Sequence, residues 1–371
     1  MSGKPLVSIC IPAFNAEITL RETLDSVLRQ DYENIEIIVS DNKSIDATRE
    51  IVFSYGEAVR YFIHDNELPE WAISGPPWIS GWPNWDFVLS QGNGEFLCLY
   101  HADDMYQLDI VSKQVQLMMT DPSIGAVFTM AQKIDSKGRY IRNGTGKLSR
   151  SLNNQSVFDF HQLFRAILIN GNFLPSPSVM IRKEVLKFVG RFDGQRFQTS
   201  ADLAMWLQIA RTGYKIAIID EPLLKYRISQ KQFGEQYLKM RTTLADFFLV
   251  MDHFLNQLGV VSMIEQNALK PYDLYRAVDY IECAVNLLVL GEDREAYLLL
   301  KKSMQRQYFI IAHQHLRRLF VLILGLLLLI STYVGLGAFV GKFVHAIYNF
   351  KNTWKRRPVV CLSANKLKSR I

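Results

Sequence analysis

Two adjacent carboxylates follow a short apolar segment, and their types and spacing point to metal chemistry. Residues 96–100 (Phe-Leu-Cys-Leu-Tyr) are too few for a helix and predict a buried strand, with Asp103 and Asp104 just past its carboxyl end. In an open α/β sheet, ligands bind at that edge. Neighbouring carboxylates repel each other unless a cation or hydrogen-bond donors compensate, so the pair suggests a divalent-metal site. The alternative is that one of them caps a helix beginning near Leu108, and the pair alone does not decide between the two.

The elements that must position this pair alternate along the chain. Apolar runs of strand length are separated by amphipathic segments, and this rhythm predicts an α/β fold with a doubly wound, mostly parallel sheet. Polar residues rich in Gly and Asn predict a loop over residues 136–156. The predicted strands lie at residues 7–11, 35–40, 59–64, 96–100 and 125–134, and the predicted helices at residues 18–30, 47–54, 109–121, 158–170 and 201–212.

Charge is distributed unevenly along the 371 residues, whose formal net charge is +6. No Asp or Glu follows Glu295, whereas 13 basic residues do, which leaves residues 1–295 with 29 basic against 36 acidic side chains. The segment after Glu295 contains a run of 22 residues without a charge, residues 319–340. As a helix this run would be about 33 Å long and could reach across a bilayer. Basic residues beside such a run favour anionic lipid over nucleic acid as the partner.

The sequence therefore predicts a helical region over residues 231–318, a membrane helix over residues 319–340 and a basic tail over residues 341–371. A helix that crosses the bilayer fully would place the tail outside the cell, against the positive-inside tendency. A re-entrant hairpin near Gly335, or a segment lying in the interface, would keep the tail in the cytosol, and the sequence leaves these alternatives open.

Several classes of protein are disfavoured by what the sequence lacks. No Gly-x-Gly-x-x-Gly follows the first strand and no Walker loop is present, which disfavours dinucleotide dehydrogenases and P-loop NTPases. The N-terminal residues show no secretory signal, so the body is expected to stay in the cytosol. Scattered cysteines predict packed, reduced thiols rather than disulfides or a metal site. These cysteines are Cys10, Cys98, Cys283 and Cys361.

Three motifs, in this order and spacing, resemble those of family 2 glycosyltransferases. Residues 7–15 (Val-Ser-Ile-Cys-Ile-Pro-Ala-Phe-Asn) resemble the opening motif, residues 41–48 (Asp-Asn-Lys-Ser-Ile-Asp-Ala-Thr) the nucleotide-binding motif, and residues 94–104 the metal-binding motif. The resemblance covers roughly residues 5–230 and implies a GT-A fold domain over residues 1–230 and an inverting hexosyltransferase activity. It continues through residues 178–185, 189–193, Ala201-Asp202 with Trp206, and Tyr226-Arg227.

The resemblance implies roles for individual residues. Asp103 would bind Mn²⁺ or Mg²⁺ at the diphosphate of a nucleotide sugar, with His101 as a possible second ligand, and Asp202 would be the general base for the acceptor hydroxyl. Taken alone, Asp41 could be a turn residue and Asp202 a residue that complements a helix N-terminus. The residues implied in holding the nucleotide sugar are Pro12, Ala13, Asn15, Asp41, Asn42, His101 and Asp103.

Two positions depart from the family pattern. His101 replaces the usual first carboxylate of the Asp-x-Asp motif, which puts strong Mg²⁺ dependence in doubt because an imidazole suits other divalent metals better. Ala201 replaces the Glu that commonly precedes the catalytic Asp, which weakens the assignment of Asp202. These departures keep open a non-catalytic, membrane-anchored protein that binds sugar nucleotides or glycans.

A tryptophan-rich insert, residues 71–85, precedes the metal motif. Its prolines predict a structured loop rather than a helix. Indole faces stack well on sugar rings, so Trp82 and Trp85 are the insert's candidate contacts to donor or acceptor, with packing of the loop onto the body as the alternative. The other candidate contacts are Asp104, Trp206 and Arg227.

The predicted function is inverting transfer of a sugar from a UDP- or dTDP-linked donor to a hydroxyl of a lipid-linked glycan during cell-surface polysaccharide assembly. The expected location is the cytoplasmic face of the cell membrane, with membrane lipids as partners through the basic C-terminal region and no nucleic acid. The alternative acceptor is polyprenyl phosphate itself.

Overall fold

The structure is a computed structural model, and it describes residues 3–65, 70, 81–146, 148, 152, 155–228, 241–312 and 316–350. The chain divides into two compact units. Among the described residues, the first unit contains residues 3–164 and 173–228, and the second contains residues 165–172 and 241–350. Residues 165–172 thus join the second unit, although the sequence places them within the first domain.

The first unit contains one ten-stranded sheet. Its strands are β1 (Val7–Ala13), β2 (Ile35–Asp41), β3 (Arg60–Ile63), β4 (Phe96–Leu99), β5 (Met105–Tyr106), β6 (Ile124–Ile134), β7 (Tyr140–Thr145), β8 (Val157–Phe158), β9 (Val179–Arg182) and β10 (Lys215–Arg227). The strand order is β3-β2-β1-β4-β9-β6-β10-β5, with β7 paired to β6 and β8 paired to β10.

The sheet is mixed rather than mostly parallel. The first four strands pair in parallel, as the strand–helix rhythm predicts, and β6 pairs in parallel with β10. β9, however, runs antiparallel between β4 and β6, and the short strands β5, β7 and β8 are also antiparallel to their partners. The prediction of a mostly parallel sheet therefore holds for β1 to β4 and for the β6–β10 pair, and it is wrong for β5, β7, β8 and β9. Neither neighbour of β9 directly precedes it in the chain, so no strand–helix–strand unit fixes its direction.

Amphipathic helices cover the sheet. Helix α1 buries Leu20, Leu24 and Val27 completely against the sheet, as its spacing predicts. The helices of this unit are α1 (Leu20–Leu28), α2 (Thr48–Phe53), α3 (Gly81–Ser90), α4 (Ile110–Thr120), α5 (Phe160–Asn170), α6 (Leu186–Val189), α7 (Gly194–Phe197) and α8 (Ala201–Arg211). The C-terminal half of α5 belongs to the second unit.

Two segments expected to be loops contain regular structure. Trp82 and Trp85 lie in α3, where Pro83 is tolerated because it occupies the first turn, whose N–H groups have no partner within a helix. The rest of the insert, residues 71–80, lies outside the described residues. The polar segment 136–156 contains β7, which pairs with β6, while residues 147, 149–151 and 153–154 also lie outside the described residues.

The second unit is helical, as predicted. Its core includes Ile281, Leu288, Leu300 and Leu322. Its helices are α9 (Phe247–Leu255), α10 (Gln266–Leu290), α11 (Asp293–Ser303), α12 (Arg306–Ala312), α13 (Leu316–Tyr333) and α14 (Gly337–Phe350).

The sequence leaves open a single helix or a hairpin near Gly335 for the long uncharged run, and the structure shows two helices. A turn at residues 334–336 divides it between α13 and α14, and Gly335 in this turn has a φ of +79°, which glycine adopts readily. In the part of the chain that the structure describes, no helix is both long enough and apolar enough to cross a membrane. The predicted membrane helix over residues 319–340 is therefore corrected to two helices joined by a turn. Most of the predicted tail, residues 351–371, lies outside the described residues.

Candidate active site

The carboxyl ends of β1, β2 and β4 lie side by side at one edge of the sheet. The register pairs Ala13 with Asp41 between β1 and β2, and Cys10 with Leu99 between β1 and β4. The three loops that carry the predicted site residues therefore begin at the same edge, which is where ligands bind in open α/β sheets.

The two predicted nucleotide-binding loops are joined by hydrogen bonds. Asn15 has a φ of 47°, donates its backbone N–H to Ser44 Oγ at 2.8 Å and accepts the Ile45 N–H at its Oδ1 at 3.0 Å. The Asn42 N–H donates to the Ala13 carbonyl at 2.9 Å. Pro12 is half-buried in β1, one residue before the strand ends and the first loop begins. These bonds make the two loops one continuous polar surface.

Asp41 is 2% exposed, and its buried carboxylate accepts hydrogen bonds that fix the shape of this surface. Its Oδ1 accepts the Ser44 N–H at 2.9 Å and its Oδ2 accepts the Tyr61 hydroxyl at 2.8 Å. Burial and the Asp41 carboxylate raise the pKa of Tyr61, which keeps the phenol protonated as a donor. Asn42 Oδ1 lies 3.2 Å from His64 Nδ1. Asp41 Oδ1 also accepts the Ser44 hydroxyl at 2.5 Å. The turn interpretation of Asp41 therefore accounts for the bonds observed, and Oδ2 retains capacity for another donor.

His101, Asp103 and Asp104 form a group that could hold a metal. One ligand atom from each lies within 4.8 Å of the other two. His101 Nε2 and Asp104 Oδ2 are buried and have no hydrogen-bond partner among the described residues. Burial lowers the pKa of His101 to about 4, with Asp103 opposing the shift, so the ring is neutral and its lone pair can bind a cation. An imidazole with two carboxylates fits a divalent metal such as Mn²⁺.

Asp104 is the fully buried member of the group. Burial, reinforced by the Asp103 carboxylate, raises its pKa well above the ordinary range, while Arg227 opposes the shift. Its Oδ1 accepts the Arg227 backbone N–H at 2.8 Å. A buried carboxylate with one unpaired oxygen costs free energy that a bound cation would recover.

Two threonines at the start of the first helix hold residues 101–104 in place, and we call this segment the metal loop because it contains the candidate ligands. Thr19 and Thr23 each donate a hydroxyl to the Ala102 carbonyl, at 2.9 and 3.0 Å, and Thr23 also donates to the Asp104 carbonyl at 2.7 Å. Their spacing of four residues places both on one helix face, and this spacing is a sequence signal that lies outside the three family motifs.

Arg227, which the sequence predicts as a contact to donor or acceptor, is bonded to the metal loop. The residue is 3% exposed, and its Nε donates to the Asp103 carbonyl at 2.7 Å. Its guanidinium also forms an ion pair with Glu22 and donates to the Ser136 carbonyl at 3.3 Å. The side chain therefore joins α1, the end of β6 and the metal loop.

Replacing Arg227 with methionine is expected to lower the free energy of unfolding by about 3 kcal/mol, because the loop carbonyls and Glu22 lose a buried charged partner. Chemical denaturation measures this change. Arg139→Met is the matched control, since its side chain is 73% exposed and its ion pair with Asp135 should contribute less than about 1 kcal/mol. Equal stabilities of the two variants would contradict the supporting role.

Aromatic residues connect α3 with the metal loop. The rings of Trp85 and His101 are 4.8 Å apart, and Trp82 contacts Trp85 at 4.7 Å and stacks on Phe192 at 5.7 Å. Trp82 is 8% exposed, and its buried Nε1 has no hydrogen-bond partner in the described part of the chain. Trp206, in contrast, is fully buried and packs against Phe192, so its burial argues against direct contact with a sugar.

Asp202 lies in the first turn of α8 and is held by a neighbouring serine. Ser176 Oγ donates to Asp202 Oδ2 at 2.6 Å and accepts the Trp206 Nε1–H at 3.0 Å. Burial raises the pKa of Asp202, while the hydrogen bond from Ser176 opposes the shift. Since Trp206 contacts Phe192 and Phe192 contacts Trp85, one packed series of rings leads from the candidate base to the metal loop. Ser176 is not among the residues that the sequence predicts for the site.

Ser176→Ala is expected to move the acidic limb of the pH–rate profile to higher pH. The hydroxyl stabilises the charged form of Asp202, so its loss raises the pKa of the base and more of the enzyme is protonated at a given pH. Turnover measured across pH tests this, with the exposed Ser54→Ala as control. An unchanged acidic limb would show that Ser176 only packs.

Comparisons with known proteins agree with this arrangement. A sequence model described as "Glycosyl transferase family 2" matches residues 8–74. An uncharacterized glycosyltransferase of Rickettsia typhi is 28% identical over 264 residues, which is 70% of this chain and 74% of that protein. The putative teichuronic acid biosynthesis glycosyltransferase TuaG of Bacillus subtilis is 26% identical over 275 residues, covering 72% and 97% respectively.

Solved structures share the fold. TarS 1-349 of S. aureus in complex with UDP has a TM-score of 0.51 at 15% identity, covering 89% of this chain and 92% of that one. The mannosyltransferase PcManGT from Pyrobaculum calidifontis, in complex with GDP-Man and Mn²⁺, has a TM-score of 0.51 at 16% identity, covering 96% and 89%. With three family motifs at one edge of a GT-A-like sheet, these similarities support a glycosyltransferase of family 2.

Proposed function

We propose that this glycosyltransferase transfers a hexose from a nucleoside-diphosphate sugar to a hydroxyl of a lipid-linked glycan, with inversion at the anomeric carbon. The observation that carries the proposal is the pair of buried ligand atoms without partners among the described residues, His101 Nε2 and Asp104 Oδ2, beside Asp103 at the carboxyl edge of the sheet. A site built to hold a cation at this edge suits a diphosphate leaving group.

His101, Asp103 and Asp104 would hold the cation, which when bound would neutralise charge that develops on the leaving diphosphate. The neutral imidazole favours Mn²⁺ over Mg²⁺, because Mg²⁺ strongly prefers oxygen ligands. Arg227 and the two threonines of the first helical segment keep the loop in position before substrate arrives.

The nucleoside would lie on the surface formed by residues 12–15 and 41–45. Backbone groups and Asn15 provide its polar contacts, while Asp41 sets the shape of the loop and offers its remaining acceptor capacity. UDP is bound in the TarS structure and GDP-Man in the PcManGT structure. Uridine or thymidine is the nucleoside that we propose for this chain.

Asp202 would accept the proton of the acceptor hydroxyl. The acceptor oxygen forms a bond to the anomeric carbon as the bond from that carbon to the diphosphate oxygen breaks, and the proton moves to an Asp202 carboxylate oxygen. One displacement of this kind inverts the anomeric centre and needs no protein nucleophile. Burial raises the pKa of Asp202, which makes the carboxylate a stronger base than an exposed aspartate.

For the acceptor, we propose a lipid-linked glycan at the cytoplasmic face of the membrane. The relative TuaG is named for teichuronic acid biosynthesis, and no acidic residue follows Glu295 in this chain, which suits a location beside anionic lipid.

The test is incubation of the full chain with Mn²⁺, membrane lipids and a panel of radiolabelled UDP-, dTDP- and GDP-sugars. We expect one donor to release its nucleotide and to label an organic-extractable product in which the sugar joins an existing glycan. A product with a single sugar on one phosphate would instead identify polyprenyl phosphate as acceptor. Failure of every donor to label any product would contradict the proposal.

A further inference from the structure

The last two helices expose a broad apolar surface, which we call the α13–α14 face. On α13 it contains Phe320, Ile323, Leu327 and Ile330, whose spacing of three, four and three residues places them on one side of the helix. On α14, Phe339 and Phe343 continue it. The exposed fractions are large: 54% for Phe320, 57% for Leu327 and 75% for Phe339.

The opposite sides of both helices are built for close packing. A methyl group on Gly325 would come within 2.6 Å of Ile281 on α10, and one on Gly341 would collide with Leu288 on the same helix. Leu322 and Leu328 are fully buried on this inner side. The two helices therefore have a fixed inner side that carries small residues and an outer side that carries large apolar ones. Rotating either helix to hide the α13–α14 face would break the glycine contacts.

Large apolar side chains exposed on the outer sides of two neighbouring helices mark a site of interaction. Burying several large apolar side chains stabilises a complex, so even partial burial of the face would favour binding. The chemistry of the partner follows from the charges that the sequence carries before, within and after the two helices.

All charged side chains after Glu295 are basic. Lys342 lies exposed within α14, and residues 351–371 contain seven Lys and Arg and no acidic residue. Two copies meeting through this face would bring like charges together, whereas an anionic lipid surface attracts basic residues. Helices with a large apolar face and basic flanks are typical of segments that lie in the membrane interface.

We propose that the α13–α14 face docks on an anionic phospholipid bilayer with both helices lying in the plane of the interface. Phe320, Leu327 and Phe339 would enter the boundary between headgroups and acyl chains. The proposal rests on the proposed function only in explaining how the enzyme would reach a lipid-linked acceptor, and its physical basis is independent of catalysis.

The test is co-sedimentation of the full chain with vesicles of phosphatidylcholine alone and of phosphatidylcholine mixed with phosphatidylglycerol. We expect binding to the mixed vesicles that weakens as salt rises. The triple variant Phe320→Ser, Leu327→Ser, Phe339→Ser should bind at least about tenfold more weakly, because tenfold corresponds to the burial of less than one such side chain.

The matched control replaces three exposed leucines of the same unit outside the face, Leu249, Leu258 and Leu298, with serine, and it should bind vesicles like the wild type. Light scattering without lipid measures whether the wild type forms a dimer through this face, which is the competing explanation. A wild-type dimer that the face variant converts to monomer would overturn the proposal in favour of a second copy, as would equal vesicle binding by wild type and face variant. Nucleotide binding should be unchanged in the face variant, so this test can fail while the proposed function stands.

Discussion

Asp202→Asn is expected to lower turnover about 10³-fold while leaving nucleotide affinity unchanged. Asparagine has nearly the same shape, and its carbonyl oxygen can still accept the Ser176 hydroxyl, so the start of α8 should keep its structure. The amide cannot take the proton of the acceptor hydroxyl. Release of nucleotide in the presence of acceptor measures turnover, and calorimetry measures affinity for the donor nucleotide.

The matched control is Asp109→Asn, which also changes an aspartate at the start of a helix. The side chain of Asp109 forms an ion pair with Lys113 at the surface. The turnover of this variant should equal that of the wild type. If Asp202→Asn retained more than about a tenth of wild-type turnover, Asp202 would be a residue that only complements the helix N-terminus, and the base would have to be another group.

Asp103→Ala is expected to lower turnover at least about 10²-fold and to abolish its dependence on Mn²⁺. The change removes one of three ligand atoms and leaves Asp104, which is buried, and His101 to hold the cation alone. A loss of about 3 kcal/mol of charge stabilisation at the leaving group corresponds to this decrease. The test is to measure the turnover of the wild type and of Asp103→Ala against Mn²⁺ concentration, before and after chelation of the metal.

Glu57→Ala, which removes an exposed carboxylate in the same unit, serves as control and should respond to Mn²⁺ like the wild type. His101→Asn should have a smaller effect than Asp103→Ala, because it removes a neutral ligand and leaves both carboxylates. An Asp103→Ala enzyme that still responds to Mn²⁺ would place the metal elsewhere.

The first half of the sheet was predictable because its signals are local. Each of the first strands is a short apolar run with a helix after it, and this alternation of strands and helices predicts a parallel sheet. The direction of β9 is not encoded locally. Val179–Arg182 has three apolar residues and an arginine, which is compatible with either orientation, and its insertion between β4 and β6 makes it antiparallel to both. The glycines of the apolar run make a hairpin near Gly335 one of the alternatives that the sequence offers, but hydropathy alone does not distinguish a turn from a continuous helix.

The candidate site shows the same division. Asp103 and Asp104 are adjacent in sequence, and the prediction that they could bind a metal needed only the strand before them. The supporting role of Arg227 depends on where β10 lies relative to the metal loop, which no local pattern reveals. Ser176 contacts Asp202 across 26 residues of chain, so its part in the site emerges only from the folded structure.

Calorimetric titration of the full chain with UDP, dTDP and GDP, each with and without Mn²⁺, is the most direct test of a metal-assisted nucleotide-sugar site at this edge of the sheet. We expect the wild type to bind one of these nucleotides in a Mn²⁺-dependent manner and Asp103→Ala, still folded, to lose the Mn²⁺-dependent part. If the folded wild type bound none of the three nucleotides under either condition, the assignment of this site would be contradicted.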